Sequence, residues 1–307
     1  MVTSVASDDC HPAEPVQPIG AWRISHVVFL AACILSEATL FAYDRTSAYI
    51  GAGAFAYSLV LWLITRAFVP YCAASEGVVL KTRSSGWRLY GRVAVVACAL
   101  LFVAYETSWG ASLVWHSAVE AAVQRFSAAI GLGYGDTALP NFLTYVLIPG
   151  LLLFALGAKP IELGLVAWRN GSWYALLGAL ILPVILMAVW FSKGHASGGL
   201  LVALLVRNFL SNGFSEEFLM RGVTLSHMRA FFTKDWALVL QALLFGLLHL
   251  GGTISGLHAN LLLALANVIA LNAPTGFFLG LIALRARSIV LPGLIHMTLD
   301  TMNEFLR

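Results

Sequence analysis

Two adjacent carboxylates stand in an apolar stretch, where charged side chains are costly. The segment reads Asn212-Gly-Phe-Ser-Glu216-Glu217-Phe-Leu-Met-Arg221-Gly222. A charge near the centre of a bilayer costs at least ~2.5–3.5 kcal/mol, so an ionisable residue there indicates a function. On a helix, Glu217 and Arg221 share a face and can pair, whereas Glu216 points about 100° away. Pairing therefore leaves Glu216 free to act as a general base.

Histidines with the same i, i+4 spacing occur in two later apolar segments. Phe245 precedes His249 by one helical turn, and His296 precedes Asp300, with Asn303 close to one turn further along. No serine or cysteine in this set has an assigned base, so water is the favoured attacking group. We expect Glu216 and His249 to activate water, and His296 to stabilise the oxyanion that forms on a carbonyl.

A metal centre is the second chemistry that these residues allow. Glu216, His249 and His296 have the donor types that bind Zn²⁺, which would act as a Lewis acid. The chain contains no H-E-x-x-H motif. The sequence therefore favours hydrolysis of a peptide bond without a cofactor, with zinc as the weaker alternative.

The composition places these residues in a membrane. The chain has 307 residues, 60% hydrophobic and only 11% charged, against about 25% charged residues in soluble domains. This composition excludes a soluble enzyme and a disordered chain, and the net charge of +3 is too small for a nucleic-acid-binding surface. We expect an all-α, polytopic transmembrane helical bundle.

Apolar stretches of spanning length mark about eight to nine transmembrane helices. They lie near residues 24–43, 47–65, 93–109, 139–157, 173–191, 199–227, 236–250, 258–284 and 288–304. Pro274 could kink the eighth span or make it re-entrant, and the Gly276-x-x-x-Gly280 pattern predicts close helix packing. Glu37 and Arg207 are isolated charges for which we expect an interhelical ion pair, even one with each other, or snorkelling to the interface.

The basic residues predict the orientation. With a cytoplasmic N-terminus, this map places 12 of the 18 Lys and Arg residues in cytoplasmic segments, 4 in outer segments and 2 within a span, as the positive-inside rule requires. We predict three regions: a disordered cytoplasmic lead (1–22), a transmembrane region of no assigned role (23–157) and a helical core (158–307). The N-terminal part of the loop before the fourth span, residues 111–130, is typical of an interfacial amphipathic helix.

The three motifs together resemble those of the CPBP (ABI) family of intramembrane glutamic proteases. This family includes the type II CAAX prenyl endopeptidases and the bacteriocin-processing and immunity proteins. The matching motifs are Glu216-Glu217-x-x-x-Arg221, Phe245-x-x-x-His249 and His296-x-x-x-Asp300, within residues 197–304. The stretch Ile161–Leu165 also resembles a short segment found before the core helices of the family.

The resemblance implies a protease without a metal cofactor and assigns a role to each motif residue. Glu216 and His249 would activate water, His296 and Asp300 would form the oxyanion site, and Glu217 and Arg221 would orient the centre. The last position is often Asn in the family. Asp300 must therefore be protonated, pair with His296, or leave the role to Asn303.

Three functions are compatible with this sequence. The first is an endopeptidase that cleaves the C-terminal tail or membrane-proximal segment of a membrane-associated protein or peptide. The second is a non-catalytic membrane scaffold or immunity protein that binds a partner through the same fold. The third is a proton relay or transporter, which would often show repeated halves, and no repeat is present in the sequence.

Overall fold

The computed structural model describes residues 24–70, 86–109, 121–122, 124–126, 128–129, 138–193, 198–257 and 260–306. Within these ranges the protein is helical and has no β-strand, which confirms the predicted all-α class. The predicted lead, residues 1–22, and most of the predicted interfacial helix, residues 111–130, lie outside the described residues.

The helices that build and position the site follow one another in chain order. They are α1 (Ile24–Tyr43), α2 (Arg45–Phe68), α3 (Trp87–Trp109), α4 (Ala138–Ala155), α5 (Ser172–Ser192), α6 (198–228), α7 (Lys234–Leu248), α8 (Leu250–Gly256), α9 (Leu261–Ala286) and α10 (Val290–Leu306). A short 3₁₀ turn, Pro160–Leu163, connects α4 to α5.

Six of the described helices, α1 to α5 and α9, are long and apolar enough to cross a membrane. The predicted spans 199–227, 236–250 and 288–304 correspond to α6, α7 and α10. However, α7 has 15 residues and α10 has 17, and α6 is interrupted by wide turns. The structure therefore supports six candidate spans and does not confirm the predicted eight to nine.

Helix α9 lies at the centre of the bundle and packs against α1, α2 and α7. It continues through Pro274, so this segment is not re-entrant. A Cβ atom on Gly276 would lie 2.9 Å from Phe245 Cδ1, and one on Gly280 would lie 3.1 Å from Gln241 Oε1. The two glycines thus allow α7 to approach α9 closely, which confirms the predicted role of this pattern.

Helix α6 is widened on both sides of the glutamate pair. Residues Phe209–Gly213 and Phe218–Leu225 are π-helical, and the α-helical turn Phe214–Glu217 lies between them. The Thr224 hydroxyl donates to the Leu219 carbonyl, five residues earlier, at 2.8 Å. Single π turns inside α-helices often occur at functional sites, because they change the direction of the side chains that follow.

One end of the bundle carries most of the described basic residues, and we call it the basic end. It comprises Arg66, Arg88, Arg92, Lys159, Arg169, Arg229, Lys234, Arg285 and Arg287. Several of these side chains join helix ends. Arg285 Nε donates to Val69 O at 2.7 Å, and Arg92 Nη1 lies 3.3 Å from Glu162 Oε2.

Candidate active site

A fully buried ion pair lies at the centre of the site. Arg221 Nη1 donates to Glu217 Oε1 at 2.7 Å, and neither side chain is exposed. Arg221 Nη2 donates to Gly276 O at 3.0 Å, and the guanidinium carbon lies 4.5 Å from the centre of the Phe245 ring. The pair that the spacing predicts therefore forms, and Arg221 also connects α6 to α7 and α9.

Helix α10 brings His296 between the acidic side chains. Its Nδ1 lies 3.0 Å from Glu217 Oε1. Its Nε2 lies 3.9 Å from Glu216 Oε2 and 3.7 Å from Asp300 Oδ2. Nδ1 thus donates to Glu217, and in the protonated form Nε2–H would face Glu216 and Asp300 at ion-pair distance. The added positive charge would partly offset the negative charge of the three carboxylates.

Polar side chains continue along the contact between α6 and α10, which we call the α6–α10 seam. Asn212 Nδ2 donates to Asp300 Oδ2 at 2.8 Å, and the Asn208 amide lies 3.0 Å from Thr301 Oγ1. At the end of the seam, Arg207 forms an ion pair with Glu304. The two helices approach closely at Gly213, where a Cβ atom would lie 2.7 Å from Gly293 O.

The ion pair of Arg207 with Glu304 excludes the suggested pair of Arg207 with Glu37. Glu37 belongs to α1 and lies against Gly51 of α2. Its Oε1 atom is buried and has no hydrogen-bond partner among the described residues. Arg207 instead contacts α10 because the α6–α10 seam brings Glu304 to it.

A cavity of about 440 Å³ lies beside the cluster. Its walls are Val103, Asn141, Tyr145, Asn212, Glu216, Leu219, Met220, Phe245, Leu248, His249 and Gly252. Glu216 and His249 both line this cavity, whereas Glu217, Arg221, His296 and Asp300 stand outside its lining. Of the six motif residues, Glu216 and His249 thus line the cavity, and the other four lie outside its lining.

The orientation of His249 follows from its own helix. His249 Nδ1 lies 2.8 Å from Phe245 O. A carbonyl oxygen can only accept, so Nδ1 carries the hydrogen and Nε2 keeps its lone pair. Glu216 Oε2 is buried and has no hydrogen-bond partner among the described residues. Within the part of the chain that the structure describes, each of the two residues thus has an acceptor atom without a hydrogen-bond partner.

Sequence reasoning did not assign a role to two asparagines and a tyrosine that line the cavity. Asn212 lies one turn before Glu216, so its helical spacing was the signal. Asn141 and Tyr145 belong to α4, outside the three motifs, and nothing in the sequence links them to the site. The Asn141 amide donates to Ser211 O at 3.0 Å. Asn303 is exposed and does not line the cavity.

Among the described residues, no group of three or more His, Cys, Asp or Glu side chains has a geometry that could hold a metal ion. The six motif residues are nevertheless together in one cluster, built by α6, α7 and α10.

The helices that build this cluster fall within a match to a known protein family. Residues 197–302 match the family described as type II CAAX prenyl endopeptidase Rce1-like. Residues 197–302 are an Rce1-like domain. The match confirms the family resemblance, includes all six motif residues, and extends from the start of α6 almost to the end of α10. No curated protein and no solved structure matches the chain significantly.

The Rce1-like domain indicates a protease, and thus a hydrolase, of the membrane. Together with the six apolar helices, it supports an integral, multi-pass membrane protein. A protease in this setting meets substrates that are membrane proteins, and the lipid bilayer surrounds its apolar helices. Residues 1–196 lie outside the match.

Proposed function

We propose that the protein is a glutamic intramembrane endopeptidase that hydrolyses a peptide bond near the C-terminal tail or a membrane-proximal segment of its substrate. The observation that carries this proposal is the position of Glu216 and His249 in the wall of one cavity. Each has an acceptor atom without a hydrogen-bond partner in the described ranges, Oε2 of Glu216 and Nε2 of His249, and both residues lie beside a buried Glu217–Arg221 pair.

The reaction starts with a water molecule held by Glu216 and His249. As the water attacks the carbonyl carbon, its proton passes to this acceptor pair, and a tetrahedral oxyanion forms. The C–N bond then breaks, and the same proton is delivered to the leaving amine. Water thus supplies the OH of the new carboxyl group and the hydrogen of the new amine, and no other reactant is needed.

The oxyanion requires donors on the other side of the carbonyl. His296 Nε2 is one such donor when the ring is protonated. Asp300 in its ionised form would repel the oxyanion, but it accepts a hydrogen bond from Asn212 Nδ2. The second Nδ2 hydrogen of Asn212, which lines the cavity, remains available to the oxyanion. In this proposal Asp300 completes the site by holding Asn212 and His296, and Asn303 has no part in it.

Glu217 and Arg221 orient the centre without touching the substrate. His296 Nδ1 and Arg221 Nη1 both donate to Glu217 Oε1. The stacking of Arg221 on Phe245 connects this pair to α7, the helix that carries His249. Both side chains are fully buried, so their contribution is to fix the relative positions of the three helices.

The proposal is tested by adding purified protein to membrane vesicles and identifying new N-termini by mass spectrometry. We expect the wild type and Glu304→Gln, a control at the exposed end of the seam, to create the same new termini. Glu216→Gln should create none while its helix content is unchanged. Termini that persist with Glu216→Gln would overturn the glutamate mechanism, and no termini with the wild type would favour the scaffold. A strong metal chelator should leave the wild-type yield unchanged, whereas loss of activity that zinc restores would favour metal chemistry.

A further inference from the structure

The cavity lies away from the basic end. On α3, Val103 lies about 24 Å from Trp87, the residue that begins this helix at the basic end, at about 1.5 Å per residue. On α7, His249 follows Lys234 by about 22 Å on the same measure. Gly252 is another turn further along. The cavity wall thus extends toward the end of the bundle at which α3 finishes and α4 begins.

The burial of the polar side chains changes in the same direction. Arg221 is fully buried, whereas the exposed fraction of the side chain is 15% for Glu216, 23% for Asp300, 27% for Glu304 and 36% for Arg207. Exposure of these polar side chains therefore increases along the α6–α10 seam away from the basic end.

The opposite side of the site is closed. Between Glu216 and the basic end, α6 carries Phe218, Met220, Val223 and Leu225, all with at most 1% of their surface exposed. Below them, Arg92, Glu162 and His227 form a second buried polar cluster, each with at most 4% exposed. Packed apolar side chains thus separate the catalytic groups from the basic end.

The charge distribution gives the two ends their sides of the membrane. The basic end contains most of the described Lys and Arg residues, and loops rich in these residues remain in the cytoplasm. The end toward which the cavity extends has few, with Arg45, Lys193 and Arg207 near it.

We infer that the cavity opens to the extracytoplasmic side, and that the substrate is a membrane-anchored protein whose scissile bond has been exported to the outer half of the bilayer. This inference rests on the proposed function for its substrate class, but the direction of opening does not depend on catalysis. A tail that stays in the cytoplasm would have to pass the packed residues of α6 to reach Glu216.

Single cysteines test the direction of opening. The four native cysteines are first replaced by alanine, and the substitution Gly252→Cys then introduces a single cysteine. A Cβ added at Gly252 would meet no other atom within 4 Å. The matched control is Thr233→Cys, an exposed residue in the loop between α6 and α7 at the basic end. A membrane-impermeant maleimide is added to intact cells and to inverted membrane vesicles.

We expect Gly252→Cys to react in intact cells, and Thr233→Cys to react only in inverted vesicles. Three results would overturn the inference. They are the opposite pattern, reaction of both cysteines from the same side, and no reaction of Gly252→Cys from either side. Reporter fusions at residues 75 and 195 give a second readout, with an extracytoplasmic signal expected at 195. The labelling is repeated with Glu216→Gln, so a wrong direction of opening is distinguishable from a wrong catalytic mechanism.

Discussion

Glu217 Oε1 lies 2.7 Å from Arg221 Nη1 and 3.0 Å from His296 Nδ1, so one carboxylate oxygen joins the ion pair of α6 to the histidine of α10. The side chains of Glu217 and Arg221 are fully buried, and that of His296 is 8% exposed. Glu217 is thus the connection through which α6 and α10 keep a fixed relation.

Arg221→Met should strongly destabilise the protein. It removes one partner of a buried ion pair and leaves the Glu217 carboxylate without its guanidinium partner, which costs about 3–5 kcal/mol. Thermal unfolding in detergent measures this effect as a lower midpoint. The double variant Glu217→Gln/Arg221→Met removes both charges and should recover much of the stability, although not the activity. A single Arg221→Met variant as stable as the wild type would contradict a structural role for this pair.

Asn212→Asp should lower the cleavage rate about 10²–10³-fold, the usual effect of removing one oxyanion donor. It would also place a second carboxylate beside Asp300. The double variant Asn212→Asp/Asp300→Asn restores one amide and one carboxylate at the same contact, and should recover part of the rate. The cleavage rate at saturating substrate measures the loss in the single variant and the recovery in the double variant. Equal rates for Asn212→Asp and the wild type would exclude the Asn212 amide from the oxyanion site.

Gly213→Ala should separate α6 from α10 and disturb the whole seam. The added Cβ would lie 2.7 Å from Gly293 O and 2.9 Å from Met297 Cβ, and neither atom is the end of a flexible side chain that could shift easily. We expect loss of both thermal stability and cleavage. Gly199→Ala is the matched control on the same helix, because its Cβ would meet no atom within 4 Å. Equal thermal stability and equal cleavage rates for Gly213→Ala and Gly199→Ala would show that neither property needs the close approach at Gly213.

His249→Phe should lower the cleavage rate about 10²–10⁴-fold, as expected when a group that takes part in proton transfer is lost. The aromatic ring keeps the packing against Phe245 but has no nitrogen to accept a proton. Substrate binding and thermal stability should change little, so the loss should appear in kcat and not in KM. A variant with wild-type kcat would remove His249 from the mechanism.

The motif spacing predicted the local relations correctly. The i, i+4 distance placed Arg221 beside Glu217 and Asp300 beside His296, because a helix fixes these neighbours. The Gly276-x-x-x-Gly280 pattern predicted close packing for the same reason. Each of these relations follows from the spacing of residues along a single helix.

The remaining features depend on how separate helices meet, which spacing does not encode. The bond of Asn212 to Asp300 joins residues 88 positions apart, and the Arg207–Glu304 pair exists only because α6 and α10 run side by side. The apolar stretches of the sequence also did not give the six candidate spans of the structure. Hydropathy does not show that α6 would contain π-helical turns or that α7 would end at Leu248.

In the proposed mechanism, Glu216 activates the water that hydrolyses the peptide bond. The most direct measurement is the single-turnover cleavage rate of wild type and Glu216→Gln in ¹⁸O-labelled water, on a substrate whose new termini have been identified. We expect one ¹⁸O atom in the new carboxyl group with the wild type, and a rate at least about 10²-fold lower with Glu216→Gln. Cleavage by Glu216→Gln at the wild-type rate would contradict this mechanism.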